Sequence, residues 1–78
     1  MNPTTVELDN RGLQPPEPML RILDALKDLP EDGQVLARMD RAPVFLYPVL
    51  EERGYQHDTQ PVGDGSFHVR IWRAGDGQ

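Results

Sequence analysis

Apolar and polar residues alternate in two short segments of the first half of the chain, which is the pattern of a half-buried β-strand. In residues 5–9, Val6 and Leu8 stand between polar side chains. In residues 34–39, every second position from Val35 onward is apolar. We therefore expect the first two strands in these segments.

A helix is predicted between them, over residues 16–29. Its apolar residues fall at positions i, i+3, i+4 and i+7 and so form one stripe: Met19, Ile22, Leu23 and Leu26. Pro30 and Gly33 follow and should end the helix and turn the chain.

A second helix is predicted over residues 44–53. Phe45 with Val49, and Leu46 with Leu50, recur at the i+4 spacing of a helix face. Pro48 lies inside this segment, where its missing N–H should kink the helix or delay its regular start. Gly54 follows and suits a left-handed helix cap.

The last two strands are predicted over residues 55–62 and 66–73, joined by a Gly-Asp-Gly turn. Alternate residues of Phe67–Ile71 are apolar and should face the core. A three-residue loop between the two strands sets their register so that Asp58 lies opposite Arg70, which is a favourable cross-strand pair.

The predicted order is β-α-β-α-β-β, and right-handed crossovers place both helices on one face of a four-stranded mixed sheet. We expect one α/β two-layer sandwich domain over residues 1–78, with its ordered core at about residues 4–73. The other sheet face stays open and should carry Glu7, Leu36, Arg38, His68, Arg70 and Trp72.

Composition narrows the possible chemistry. The chain has 78 residues, no cysteine and a formal net charge of −5. The lack of cysteine excludes disulfides, a thiol nucleophile and a cysteine-borne sulfur carrier. The acidic balance disfavours nucleic-acid binding. No segment approaches the ~20 apolar residues of a membrane span, and the first ten residues lack the pattern of a signal peptide, so we expect a cytoplasmic protein without membrane contact.

Three prolines precede and open the first helix, at positions 15, 16 and 18. A helix N-terminus usually offers free N–H groups and a partial positive charge to an anion. Proline has no N–H, and Glu17 adds a negative charge in the same turn, so this entrance should bind anions poorly. Proline at a helix start also fixes the corner between strand and helix.

The segment from Leu8 to Pro18, "LDNRGLQPPEP", resembles the signature of the TusA/SirA sulfur-carrier family, Leu-Asp-x-x-Gly-Leu-x-Cys-Pro-x-Pro. Pro15 stands where that family has its reactive cysteine. The predicted element order agrees with the fold that the resemblance implies. The ending "LYPVLEERGYQ…VRIWR" is similar to a TusA-allied bacterial family of unknown function that also lacks the cysteine.

The resemblance implies the scaffold of a sulfur carrier, whereas persulfide relay in that family depends on a thiolate, which proline cannot supply. We therefore expect a non-catalytic protein-interaction or regulatory module. A thiol-independent carrier or enzyme component of sulfur or redox metabolism, with a small ligand near the first helix N-terminus, is the alternative. RNA binding on the open sheet face is a weaker alternative.

No catalytic constellation is evident, and we expect no cofactor and no metal. His57 and His68 should lie on opposite sheet faces and so cannot share a metal ion. We interpret His57 as a histidine at the edge of the core and His68 as a solvated one. The adjacent acids of the second helix point apart and cannot act as a dyad.

Two surfaces are candidates for binding. The first is the corner where the first two strands end and the first helix begins, since ligands of α/β sheets bind beyond the carboxyl ends of parallel strands. Its residues are Asp9, Arg11, Gly12, Pro15, Pro16, Glu17, Pro18, Asp40 and Arg41. A local salt-bridge cluster is the alternative interpretation of its charges.

The second candidate is the open sheet face, for a protein partner or a second copy of the chain. It comprises Arg38, His68, Arg70 and Trp72. Trp72 stands between Arg70 and Arg73 in the sequence, and tryptophan and arginine are enriched at interaction hot spots. The alternative is that Trp72 only shields the exposed face of a thin domain.

Overall fold

The structure is a computed structural model that describes residues 4–74, and it shows a two-layer α/β sandwich. The strands are β1 (Thr5–Asp9), β2 (Gln34–Met39), β3 (Tyr55–Pro61) and β4 (Phe67–Arg73), and the helices are α1 (Glu17–Lys27) and α2 (Leu46–Glu52). The predicted fold class and element order are confirmed. Most elements are one or two residues shorter at their ends than predicted.

The sheet has the strand order β1-β2-β4-β3. The pair β1–β2 is parallel, while β4 is antiparallel to both β2 and β3. The final hairpin therefore inserts β4 beside β2 and leaves β3 at the edge. As a result, β2 and β4 are the central strands and β1 and β3 are the edges.

The core lies between the helices and one face of the sheet. The two central strands and both helices contribute its side chains. Those with at most 2% exposure are Ile22, Leu26, Val35, Ala37, Leu46, Leu50, Val69 and Ile71. Burial of one such side chain stabilises the fold by roughly 1.5–3 kcal/mol. The predicted apolar positions of both strands are thus the positions that face the helices.

Two effects were predicted for Pro48, a kink in the second helix or a delayed start, and the structure shows the delayed start. The helix begins at Leu46, so Pro48 falls in the first turn, where its missing N–H has no intrahelical acceptor to lose. Phe45 therefore precedes the helix and is 87% exposed. Its predicted place on a helix face with Val49 is wrong, since α2 buries only the stripe of Leu46 and Leu50.

The register of the β3–β4 hairpin is the predicted one, with Asp58 opposite Arg70. The turn is closed by the N–H of Val62, which donates to the carbonyl of Ser66 at 2.8 Å. Gly54 links α2 to β3 with φ +87°, the left-handed conformation expected of a glycine cap. None of the helices within residues 4–74 is long and apolar enough to span a membrane.

Candidate functional site

The start of α1 offers few hydrogen-bond donors. Pro16 caps the helix without a side-chain hydrogen bond, and three of residues 15–18 have no N–H. The amide of Glu17 donates to the carbonyl of Gln14 at 2.9 Å, and that of Leu20 donates to Pro16 at 3.1 Å. Because these amides already have acceptors, this helix terminus is poorly suited to hold an anion.

Asn10 joins the end of β1 to the start of α1. Its side chain is 1% exposed, and Nδ2 donates to the carbonyl of Pro18 at 3.2 Å and to the Sδ of Met39 at 3.5 Å. The backbone N–H of Asn10 also donates to the carbonyl of Arg38 at 2.8 Å. This role of Asn10 could not be predicted from the sequence, because a single polar residue between a strand and a helix carries no periodic signal.

The charged residues at the end of β1 are paired with one another. Nε and Nη2 of Arg11 donate to the two carboxylate oxygens of Asp9 at 2.9 and 2.8 Å. These hydrogen bonds hold the pKa of Asp9 well below its ordinary value and raise the pKa of Arg11. The N–H of Gly12, whose φ is +82°, donates to the Asp40 carboxylate. Of the charged residues predicted for this corner, Asp9 and Arg11 thus form a salt bridge, and Asp40 is held by a backbone N–H.

The other half of the predicted corner is an apolar groove of about 310 Å³. One wall is formed by Pro15, Pro16, Pro18 and Met19, and the other by residues 41–46, with Met39 between them. Arg41 supplies the charged group of the lining. Glu17 is exposed and is not part of either wall. Of the nine predicted corner residues, the three prolines and Arg41 line this groove, and Pro15, Pro18, Asp40 and Arg41 also line a smaller depression of about 80 Å³.

Phe45 and Val44 give the groove an unusually exposed rim. They are 87% and 58% exposed, and Leu20 is the other large apolar side chain that is exposed among residues 4–74. The prediction did not include Phe45 or Val44 in the corner. The signal was present, however: Pro48 makes a regular helix start near residue 46 favourable, which leaves Phe45 outside the helix.

The open sheet face carries polar side chains in rows across the four strands. One row sets Glu7, Leu36, Arg70 and Asp58 side by side, and the next sets Asp9, Arg38, His68 and Gln60 side by side. The predicted face residues Arg38, His68 and Arg70 are thus near neighbours. Trp72 lies in the row next to that of Arg70, on the side away from His68, and stands opposite Gln34 and Gln56.

Two specific contacts organise this face. The Nε of Arg38 donates to the Nε2 of His68 at 3.1 Å. The guanidinium carbon of Arg70 lies 4.7 Å from the centroid of the Trp72 ring, a cation–π contact. Arg73, which follows Trp72 in the sequence, lies on the helix-covered face and donates to the carbonyl of Leu29 at 3.1 Å.

His57 lies on the helix-covered face, away from His68, as predicted. Its ring stacks on Tyr47 with centroids 4.4 Å apart, and its Nε2 is 3.0 Å from a carboxylate oxygen of Glu51. These contacts agree with a histidine at the edge of the core. Within residues 4–74, no group of three or more histidine, aspartate or glutamate side chains is placed to hold a metal ion.

The fold is that of a SirA-like domain. A crystal structure of a SirA-like protein from Desulfitobacterium hafniense matches with a TM-score of 0.79 and 27% identity, over 90% of this chain and 99% of that chain. The chain belongs to the family described as uncharacterized conserved protein (DUF2249), which residues 7–73 match. None of the curated proteins compared with the chain is similar to it. The resemblance inferred from Leu8–Pro18 is therefore confirmed, with proline at position 15 and no cysteine in the chain.

Proposed function

We propose that this chain is a non-catalytic protein-interaction module that binds a partner at the groove beside α1. The observation that carries the proposal is Phe45, an aromatic side chain 87% exposed at the rim of an apolar groove of about 310 Å³. Exposed aromatic residues beside an apolar depression are typical of interaction hot spots.

The composition of the groove indicates the kind of contact it makes. Its α1 wall consists of prolines and Met19, which present apolar surface and almost no hydrogen-bond donors. A partner would therefore insert an apolar side chain, while Phe45 packs against the surface next to it. Burial of apolar surface contributes about 25 cal/mol per Å², so Phe45 and its neighbours supply most of the affinity.

Proline at position 15 supports the proposal that the domain keeps the fold of a sulfur carrier without carrying sulfur. In the sulfur-carrier family that the motif resembles, a cysteine stands there, and its thiolate is the reacting group. Pro15 has neither a nucleophilic atom nor an N–H and lies in the apolar wall of the groove. A position used for group transfer in related proteins thus becomes part of a docking surface.

The groove is favoured over the open sheet face as the protein-binding site. The aromatic residue of that face, Trp72, is half-buried and covered by Arg70, whereas Phe45 has no such cover. The alternative of a thiol-independent carrier requires free charges at the corner. It is less well supported, because Asp9 is bound to Arg11 and Asp40 to Gly12.

The proposal is tested by site-specific crosslinking in the source cells. p-Benzoylphenylalanine is placed at position 45, and at position 20 in a matched control, since Leu20 is also an exposed apolar residue but does not line the groove. A discrete crosslinked adduct from position 45 and none from position 20 is expected. Phe45→Ser should abolish recovery of the same partner, while Leu20→Ser should not.

Three results would contradict the proposal. Equal crosslinking from positions 45 and 20 would show that the groove has no special role. No adduct from position 45 in cells that contain the protein at its natural level would also contradict the proposal. Turnover of a substrate by the purified chain, abolished by substitution in the corner, would contradict its non-catalytic part.

A further inference from the structure

Two arginines of the open sheet face lie directly opposite carboxylates but do not bind them. Asp9 is registered with Arg38, and Asp58 is registered with Arg70. Opposite charges in such positions normally attract one another across the strands. Even so, neither pair forms a salt bridge within residues 4–74.

Each carboxylate has another partner instead. Asp9 accepts two hydrogen bonds from Arg11, and Asp58 accepts one from the Nε2 of Gln60 at 3.2 Å. Arg38 uses only its Nε, toward His68, and Arg70 lies over the Trp72 ring. Within the described chain, no carboxylate accepts a hydrogen bond from the terminal N–H donors of either guanidinium group, while the charge of Arg38 helps to lower the pKa values of Asp9 and Asp64.

The two arginines are near neighbours on the face, although the Arg70 guanidinium lies over Trp72, on the side of its row away from Arg38. Arg38 and Arg70 stand diagonally adjacent on the two central strands, where side chains of neighbouring rows are roughly 7–8 Å apart and within reach of one ligand. Because the Nε2 of His68 accepts from Arg38, a neutral His68 carries its proton on Nδ1 and has a further donor. A depression of about 360 Å³ lies beside Arg38, His68 and Leu36, and the β1 residues Glu7 and Asp9 also line it.

We propose that this face binds the phosphoryl group of a small molecule between Arg38 and Arg70, with His68 as a third donor. A single carboxylate is satisfied by one guanidinium, as Asp9 is by Arg11. Two guanidinium groups and an imidazole N–H instead suit a dianion with three or more acceptor oxygens. Binding requires only that the Arg70 side chain turn from Trp72, since it is exposed.

The edges of the face restrict the ligand to a small one. Glu7 on β1 and Asp58 on β3 flank the arginines and belong to edge strands. A nucleic-acid strand that crosses the sheet would bring further phosphates against these carboxylates, at a cost of several tenths of a kcal/mol per contact or more. A single phosphoryl group fits between them.

The test uses inorganic phosphate and phenyl phosphate as probes of the intact chain, with chloride at equal ionic strength as the reference. Two-dimensional NMR follows the side-chain N–H signals of the arginines and the indole signal of Trp72. Saturable shifts centred on Arg38, His68 and Arg70 are expected with both probes. Tighter binding of phenyl phosphate together with a Trp72 shift would identify an organic ester as the ligand; equal affinities would identify free phosphate.

Matched variants distinguish a built site from general attraction. Arg38→Gln is expected to weaken phosphate binding about tenfold, as loss of a charge-assisted contact does. Glu7→Gln should strengthen it roughly two- to threefold, because a nearby negative charge is removed. Arg53→Gln, which removes an equal charge from the exposed end of α2, should leave it unchanged.

No saturable shift with either probe in the tens of millimolar range would overturn the proposal. Equal weakening by Arg38→Gln and Arg53→Gln would do so as well, because it would indicate an unspecific effect of net charge. Retained amide dispersion in each variant shows that the chain is folded. The outcome of these phosphate-binding experiments does not test the groove at Phe45, which lies on another surface.

Discussion

The buried side chain of Asn10 donates to the carbonyl of Pro18 at 3.2 Å, and this contact fixes the angle between β1 and α1. Asn10→Ala should destabilise the fold by about 0.5–3 kcal/mol, since it removes both hydrogen bonds of Nδ2 and leaves unfilled space at a buried position. Urea unfolding measures the change. Gln14→Ala, an exposed position in the same loop, serves as the control and should stay within about 0.5 kcal/mol of the parent. Equal effects of both substitutions would contradict this role of Asn10.

Gly54 is required by its backbone conformation rather than by lack of space. Its φ is +87°, and a Cβ at this position would meet nothing within 4 Å. Gly54→Ala should therefore cost about 1–2 kcal/mol, the penalty of a left-handed non-glycine residue. Gly63 has equal space and no left-handed φ, so Gly63→Ala should be neutral or slightly stabilising. A neutral Gly54→Ala in thermal unfolding would refute this assignment.

The core of this small domain should be sensitive to single truncations. Leu50 is completely buried on α2, and Leu50→Ala is expected to cost about 2–5 kcal/mol, a large part of the stability of a chain this size. Leu20 is 55% exposed, and Leu20→Ala should change the free energy of unfolding by about 0.5 kcal/mol or less. Denaturant midpoints compare the two variants. Similar shifts in both would mean that Leu50 is not in the core.

Acid should weaken the fold partly through Asp9 and Asp64. Hydrogen bonds from Arg11 and from Ser66, respectively, lower the pKa of each carboxyl in the folded state. A lowered folded-state pKa means that the contribution is fully present above the unfolded value of 3.8 and is lost as the pH falls toward the folded-state value.

Asp9→Asn should consequently flatten the pH dependence of stability below about pH 5. Asp24→Asn, which removes an exposed carboxylate of α1 without a hydrogen-bond partner among the described residues, is the matched control and should keep the parental slope. Urea unfolding at a series of pH values measures both slopes. A parental slope in Asp9→Asn would show that its pairing with Arg11 does not contribute.

Much of the fold could be predicted from the sequence because its signals are local. Strict alternation defined β2, the stripe through Ile22 and Leu26 defined α1, and the three-residue turn set the register of Asp58 with Arg70. Each of these features depends on residues close together in the chain. The absence of a thiol at position 15 was equally evident, since proline stands there in the sequence.

The candidate sites could be predicted only in part. The sheet order and the strand ends place Asp40 beside Gly12 and Arg38 diagonally to Arg70. Which side chains bind one another could not be inferred, because each charged group had several possible partners at similar energy. Asp9 binds Arg11 rather than Arg38, and Arg70 lies over Trp72 rather than beside Asp58.

The sequence by itself determined the element order, the buried faces and the absence of a thiol, since periodicity and composition specify these directly. Only the tertiary structure decided the insertion of β4 beside β2, the burial of Asn10 and the hydrogen bond from Arg73 to the carbonyl of Leu29. These depend on contacts between residues far apart in the chain. Such contacts are selected by how the whole core packs, and no local pattern records that choice.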